Sequence, residues 1–303
     1  MLSLLRCLPL FALVATLFPA SLVQAQGKEF RWGGKPGDEY AIEMVQTMRQ
    51  SLKTGETTTE TQTEINMYAT WRLESINEEG QLLVAETIDR MKMRIVGPDG
   101  TEIKVDSAQE AAPAGQEKLA EMLKAFVGVK FERLMDTRGK ILEVTLPEET
   151  KKALAGNPFS PEMLKEMVSK YSPVFPAEKI EPNFRWESKN TTKTPVGAMT
   201  LFADYIYVGE VQQGGQTLDK FDIGMNMEFE KGAIPGVELS LEDQNHSGAI
   251  LFDREIQWMR ESRASQDFTV VVKATDGEAR NRMINDLKIV LTPKKKLVEE
   301  EQE

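Results

Sequence analysis

Apolar and polar residues alternate with a period of two along most of the chain, which is typical of β-strands with one buried and one exposed face. Ile65, Met67, Ala69, Trp71 and Leu73 alternate in this way with polar neighbours. The odd positions from Leu83 to Ile95 form a similar row and predict one shared face. Further strands are predicted at 40–48, 131–135, 140–146, 184–193, 198–211, 217–230, 237–243, 248–254, 256–263, 267–274 and 284–292.

A polar stretch precedes the strand at Ile65. Residues 54–64 are almost all Thr, Glu and Gln, so they have no apolar face to bury. Together with residues 40–48, they predict a long hairpin that turns near Lys53-Thr54-Gly55, and residues 50–64 form an exposed ribbon.

Helical periodicity is confined to the middle of the chain. Leu119, Met122, Leu123 and Phe126 follow the spacing i, i+3, i+4, i+7 and predict a helix over 116–127. Pro147 begins a short helix that ends at Gly156-Asn157-Pro158, and Ser160-Pro161 begins a third helix over 160–171. The predicted fold class is therefore mainly β: an antiparallel sheet or open half-barrel(s) with a small α-helical insertion at about residues 116–171.

The first 25 residues have the pattern of a secretory signal peptide. Arg6 is followed by an apolar run at 7–18 and by the small-residue site Val23-Gln24-Ala25. We expect cleavage near Ala25, a periplasmic or extracellular location, and no transmembrane anchor in the mature chain. The only cysteine, Cys7, lies in this leader, and a cysteine-free exported protein is typical of bacteria.

The expected mature chain is one β-rich exported domain over 26–293. A loose internal similarity suggests that it consists of two related halves, 26–146 and 183–293, joined by the helical segment. Residues 294–303 form a charged tail that we expect to be disordered. The whole chain carries 37 Lys and Arg against 48 Asp and Glu, a net charge of −11, which argues against nucleic acid as a partner.

The signal peptide, the Thr/Glu-rich hairpin, the mid-chain P-x-x-P region and the strand pair with Gly248, Phe252 and Asp253 resemble an uncharacterised family of exported bacterial β-rich proteins. The resemblance implies a compartment and a β-rich fold, but no activity. The order of strands and helices is also similar, in architecture alone, to the open half-barrels of periplasmic lipoprotein and lipid carriers.

One segment has the spacing of a calcium-binding loop. Residues 243–250 match the start of an EF-hand loop, including Gly248 at its sixth position, but Arg254 occupies the place of the bidentate glutamate. We therefore interpret the segment as an Asx-rich β-turn between two strands, with His246 as a solvated loop residue. The pairs Met91/Met93 and Met225/Met227 could be Cu(I) ligands, but two methionines on one strand face are more simply core residues.

The residues needed for common catalytic mechanisms are scarce. The chain has one histidine, no cysteine outside the leader and no G-x-S-x-G motif. We therefore predict a non-catalytic protein with no metal and no cofactor. A hydrolase would need two carboxyl groups across a cleft, and with 48 acidic residues such pairs are not informative.

Methionines occupy many of the predicted apolar positions, and methionine adapts to varied apolar partners. Our leading hypothesis is an envelope protein that binds a lipid or other apolar ligand between the sheet and the helices. The alternative is a structural module in which the exposed ribbon, residues 50–64, contacts another envelope protein. The candidate ligand-binding residues are Met91, Met93, Met122, Phe126, Met163, Met167 and Tyr171.

Overall fold

The structure is a computed structural model that describes residues 27–112, 114–153, 173–194, 197–230, 236–275 and 277–294. Its elements, in chain order, are β1 (Glu39–Thr54), β2 (Thr57–Ile76), β3 (Leu82–Val96), β4 (Glu102–Asp106), α1 (Glu117–Phe126), β5 (Lys130–Met135), β6 (Ile141–Thr145), α2 (Glu148–Ala153), β7 (Arg185–Thr194), β8 (Gly197–Gln213), β9 (Gln216–Phe229), β10 (Val237–Asp253), β11 (Trp258–Ala274) and β12 (Gly277–Pro293). The signal peptide and the predicted third helix, with Met163, Met167 and Tyr171, lie outside the described residues.

All twelve strands belong to one antiparallel sheet in the order β6-β5-β3-β2-β1-β12-β11-β10-β9-β8-β7, with β4 beside β3. The sheet is open, and β6 and β7 form its two ends. Most neighbours are hairpins with tight turns. Between β8 and β9, for example, Gly214 and Gly215 both have positive φ, as a type I′ turn requires. The predicted fold class, a mainly β antiparallel sheet with a small helical insertion, is confirmed.

We call the sheet face that carries Tyr40 and Ile42 the inner face. At one end of the strands it is covered by two irregular segments, 27–34 and 173–180, which are joined by paired backbone hydrogen bonds between Lys28 and Ile180. Phe30, Trp32 and Phe175 from these segments pack against the sheet in an aromatic cluster. We call this part of the molecule the closed end. Its fully buried residues include Leu73, Leu82, Tyr207, Phe221, Phe252 and Trp258.

Helix α1 packs on a different part of the inner face. Its buried residues Ala120, Leu123 and Phe126 lie on one side, as the i, i+3, i+4, i+7 spacing predicts, and they contact β3 and β4. Val105 of β4 completes this small cluster. Neither described helix has the length and hydropathy of a membrane-spanning helix.

Two strand predictions are wrong because long strands can bend without ending. The Asx-rich turn predicted within residues 243–250 is part of the continuous strand β10, which has a bulge between Glu242 and Asn245. Asp243, with φ +52°, takes up the bend. Likewise, the two strands predicted at 256–263 and 267–274 form the single strand β11.

The predicted face of β3 is also wrong over half of its length. Tyr68 pairs with Arg90 and Ala69 pairs with Ile88, so Asp89 is an extra residue in a bulge. The bulge shifts the alternation, and Ile88 shares the inner face with Met91. The odd positions from Leu83 to Ile95 therefore do not share one face.

Candidate functional site

The two faces of the central strands differ in charge. On β1, β12 and β11, which are described throughout, the inner positions carry no Asp, Glu, Lys or Arg over residues 40–54, 279–291 and 262–272. The outer positions of the same stretches include Glu43, Arg49, Lys53, Arg263, Asp267, Arg280, Arg282, Asp286 and Lys288. Three neighbouring strands thus present one uncharged face and one charged face.

The inner face is rich in half-buried apolar side chains beyond the closed end. Met44 pairs with Met67 on one side and with Ile289 on the other, and all three are only partly buried. Others of this kind on the same face are Met48, Ile65, Met283 and Leu287. An apolar surface of this extent on a single sheet layer is typical of a site that contacts an apolar partner.

The structure brings together the four predicted site residues that it describes. Met91 and Met93 lie on β3 beneath α1, and with Met122 of the helix they pack against the cluster of Val105, Ala120 and Leu123. Phe126 packs with Ile88 and Met91 at the end of the helix. These residues extend the apolar inner face toward α1, and their role in ligand binding stays a prediction.

A row of uncharged polar side chains crosses the inner face. Gln46 Nε2 donates to Asn285 Oδ1 at 2.8 Å, and Asn285 Nδ2 donates to Gln266 Oε1 at 3.2 Å. His246 lies directly opposite Gln266 on the next strand. We call these four residues the polar band. They interrupt the apolar face between Met44 and Leu287 on one side and Met48 and Met283 on the other.

His246 is not the solvated loop residue that the sequence predicted. It lies within β10, half-buried, with its ring stacked on Phe268 at a centroid distance of 5.9 Å. Burial lowers the pKa of the imidazole, and the attraction of Asp267 only partly opposes this effect. The ring is therefore neutral near pH 7.

Apolar periodicity does not reveal the polar band, because the members of the band interrupt that periodicity. A signal for it does exist, since Gln46 lies between Met44 and Met48 in the alternation, and Asn285 lies between Met283 and Leu287. Polar residues at apolar positions of three neighbouring strands form a row across the sheet only in a particular strand register. The sequence does not supply that register.

The closed end contains a fully bonded charged group. Asp219 is 2% exposed and accepts hydrogen bonds from Tyr207 Oη at 2.5 Å, Arg254 Nε at 2.6 Å and Lys28 Nζ at 3.1 Å. Burial, together with the Asp219 hydrogen bond, raises the pKa of Tyr207 to about 12. Lys28 and Arg254 also reach Glu210. This network attaches the segment at Lys28 to β8 and β9.

A second buried ion pair at the closed end is less well bonded. Arg133 Nη1 lies 3.7 Å from Glu86 Oε2, and the guanidinium lies 3.9 Å from the centre of the Trp71 ring. Burial raises the pKa of Glu86 against the attraction of Arg133, and burial lowers the pKa of Arg133. Both side chains are enclosed by core residues, so we assign the pair to the packing of this end.

A groove of about 490 Å³ lies mainly on the outer side of the central strands. It is lined by Val45, Thr47, Ser247, Gly248, Ala249, Arg263, Ala264, Ser265, Asp286, Leu287 and Lys288. None of the predicted site residues lines this groove. Among the described residues, no group of three or more His, Cys, Asp or Glu is placed to bind a metal ion.

No protein-family model matches the chain, and a search of curated proteins finds no match. Among solved structures, the chain is similar to lipovitellin, in a study of lipid–protein interactions, with a TM-score of 0.48 and 8% identity over 86% of this chain. The match covers 25% of the lipovitellin chain, so this protein spans about a quarter of that length.

Two exported or uncharacterised bacterial proteins are also similar. An exported protein with a YmcC-like fold from Bacteroides fragilis has a TM-score of 0.27 and 10% identity, covering 88% of this chain and 99% of its own. A DUF1329 family protein from Desulfovibrio piger has a TM-score of 0.12 and 8% identity, covering 83% and 85%. At TM-scores below 0.5, these likenesses carry no argument about function, and membership of an exported family stays a prediction.

Proposed function

We propose that this protein is an exported protein of the bacterial envelope that binds an apolar or amphiphilic ligand on its inner face, without catalysing a reaction. The observation that carries the proposal is the separation of charge across β1, β12 and β11, where the uncharged face is apolar and half-buried. A sheet with one apolar face is stable when that face is covered. In the described residues, α1 and the segments at the closed end cover only parts of it.

The size of the hydrophobic effect supports an acyl chain as the apolar part of the ligand. Burial of one CH₂ group contributes about 0.8 kcal/mol. Ten such groups contribute about 8 kcal/mol, from which the entropic costs of association must be subtracted, so a long acyl chain is needed for measurable binding by burial alone. Met44, Met48 and Met67 suit this role because a flexible thioether side chain adapts to an irregular apolar surface.

The first test is native mass spectrometry of the mature protein, residues 26–303, purified from its own envelope, followed by organic extraction. We expect a co-purifying lipid or a saturable uptake of a fluorescent acyl probe. A bare chain mass, with no extractable ligand and no probe binding, would exclude the proposal.

Two substitutions at neighbouring positions test whether the ligand binds on the inner face. Met48→Lys introduces a charge on the inner face, and Thr47→Lys introduces the same charge on the outer face of the same strand. Both positions are half-buried. We expect Met48→Lys to weaken probe binding at least tenfold and Thr47→Lys to leave it within twofold. Equal effects of the two substitutions would contradict binding on the inner face.

A second candidate function is contact with another envelope protein through the β1–β2 hairpin. The pairing of β2 with β3 ends at Gln62, so residues 57–61 of β2 have β1 as a neighbour and expose their other edge. A free strand edge can pair with a strand of a partner. Thr59→Cys would carry the only thiol of the mature chain, and a photo-crosslinker at this thiol tests the contact in intact cells. Loss of the crosslink on mixing with excess unlabelled protein would show that it is specific.

A further inference from the structure

The polar band gives the inner face a hydrogen-bonding group of defined character. Resting on the proposed function, we infer that the ligand is an uncharged amphiphile whose hydroxyl or amide group binds at Gln266 and His246, while its apolar chain lies over the neighbouring methionines. Three observations carry the inference: the direction of the amide chain, the orientation of His246, and the absence of charge on the surrounding face.

The amide chain runs in one direction across three strands. Gln46 donates to Asn285, and Asn285 donates to Gln266. Among the described residues, the last amide nitrogen, Gln266 Nε2, has one hydrogen-bond acceptor, the sulfur of Met225 at 3.9 Å, and a thioether is a weak acceptor. Gln266 therefore retains a donor for a better acceptor.

His246 contributes an acceptor. Gln244 accepts a hydrogen bond from the Met227 backbone N–H at its Oε1 and donates to the Met227 carbonyl from its Nε2, both at 2.9 Å. These bonds fix the orientation of the Gln244 amide. His246 Nε2, at 3.3 Å from Gln244 Oε1, must then be the protonated nitrogen that donates. His246 Nδ1 is consequently an acceptor, and it is buried with no hydrogen-bond partner in the described part of the chain.

Gln266 and His246 are directly opposite each other in the β10–β11 register, where side chains on one face are about 5 Å apart. The pair thus offers one donor and one acceptor side by side. A hydroxyl or amide group both donates and accepts, so it matches the pair. An ester or ether oxygen accepts only, and it would leave Nδ1 unpartnered, which costs about 1–3 kcal/mol.

A charged head group does not fit this position. The inner positions of β1, β12 and β11 supply no Lys or Arg, and His246 is neutral near pH 7. A carboxylate or phosphate placed at the polar band would lose its hydration without gaining a counter-charge, which is strongly unfavourable. The face therefore selects against anionic amphiphiles at this position.

The test compares three probes of the same chain length on the wild-type protein, each displacing a fluorescent apolar dye. Monoolein has free hydroxyl groups, methyl oleate has only acceptors, and oleate is anionic at pH 8. We expect monoolein to bind at least tenfold more tightly than either of the others. Since this comparison needs no substitution, it does not depend on the folding of a variant.

Two substitutions then assign the preference to the polar band. Gln266→Met removes the donor, and His246→Phe removes the acceptor while keeping a ring against Phe268. We expect each to reduce the affinity for monoolein to that for methyl oleate. Thr47→Val, on the outer face of β1, is the control and should leave the order of affinities of the three probes unchanged.

The outcomes separate the inference from the function on which it rests. If the dye binds and the three probes compete equally, or if oleate competes best, the inference is overturned and apolar binding stands. If neither the dye nor any probe binds, the proposed function fails and the inference fails with it.

Discussion

The closed end and the central inner face are formed by the same long strands, yet their side chains are packed differently. At the closed end, two irregular segments bury Tyr40 and Ile42, and the buried carboxylate of Asp219 has three donors. A few residues further along β1, Met44 and Met48 are only half-buried. Burial therefore distinguishes the two regions: the closed end is packed as a core, and the centre leaves apolar side chains available for binding.

The strongest test of this comparison is a cavity at the closed end. Phe30 is 2% exposed and packs against Phe175, Tyr207 and Phe221. We expect Phe30→Ala to lower the free energy of unfolding by about 3–5 kcal/mol, because it removes a buried ring and leaves a cavity. Met48→Ala on the central inner face should cost about 1 kcal/mol. Urea unfolding of the two variants measures both values. Similar losses of unfolding free energy would show that the closed end and the central inner face contribute equally to stability.

The next effect concerns the charged network. Asp219→Asn keeps the size of the side chain and removes the charge that accepts from Lys28, Arg254 and Tyr207. We expect a loss of about 1.5–3 kcal/mol in the free energy of unfolding, as for hydrogen bonds to a charged group. Asp286→Asn, on the exposed outer face, is the control and should stay within about 0.5 kcal/mol. An equally small effect at Asp219 would show that the network does not hold the closed end together.

Alkaline pH should also destabilise the folded protein, through two tyrosines of the closed end. Burial, first of all, raises the pKa of Tyr40 and of Tyr207 to about 12, from an ordinary value of 10. Because the folded protein holds these protons more tightly than the unfolded chain, stability is complete below pH 10 and falls as the pH rises toward 12. Urea unfolding at pH 9, 10 and 11 measures the slope. Tyr207→Phe should make the slope shallower, and a slope equal to that of the wild type would contradict this origin.

The smallest expected effect occurs at acidic pH and concerns His246 on the central inner face. Burial lowers the pKa of His246 below its ordinary value of 6.5. The unfolded chain therefore binds this proton first, so the contribution of His246 to stability is present above pH 6.5 and is lost as the pH falls. The same proton would put a charge on the uncharged face. We expect dye binding to weaken from pH 7 to pH 5 in the wild type and to stay constant in His246→Phe, as measured by fluorescence titration.

Much of the fold follows from local patterns. The alternation at Ile65, Met67 and Ala69 predicts β2, and the spacing of Leu119, Met122 and Phe126 predicts α1, because each period places apolar residues on one side of its element. The errors have a local cause as well. Asp243 and Asn245 have the composition of a turn, but pairing with β11 on one side keeps the chain extended, and the bulge absorbs the extra residue.

The site was only partly predictable. Met91, Met93, Met122 and Phe126 were identified from their apolar positions, and the structure places them together under α1. The polar band could not be identified, since Gln46 lies 239 residues from Asn285. Gln266 and His246 lie on consecutive strands whose register the sequence does not supply. Their meeting depends on the pairing of β1 with β12, which joins the two ends of the described chain.

Local patterns specify the β class, the position of the helical insertion and the two unequal faces of each strand, because these properties depend on neighbours a few residues apart. Tertiary structure decided which strands pair and in what register, and hence which side chains share a face across the sheet. A shift of one residue in that register would move every side chain to the other face. The uncharged inner face and the polar band that crosses it are therefore products of long-range pairing, which no local pattern specifies.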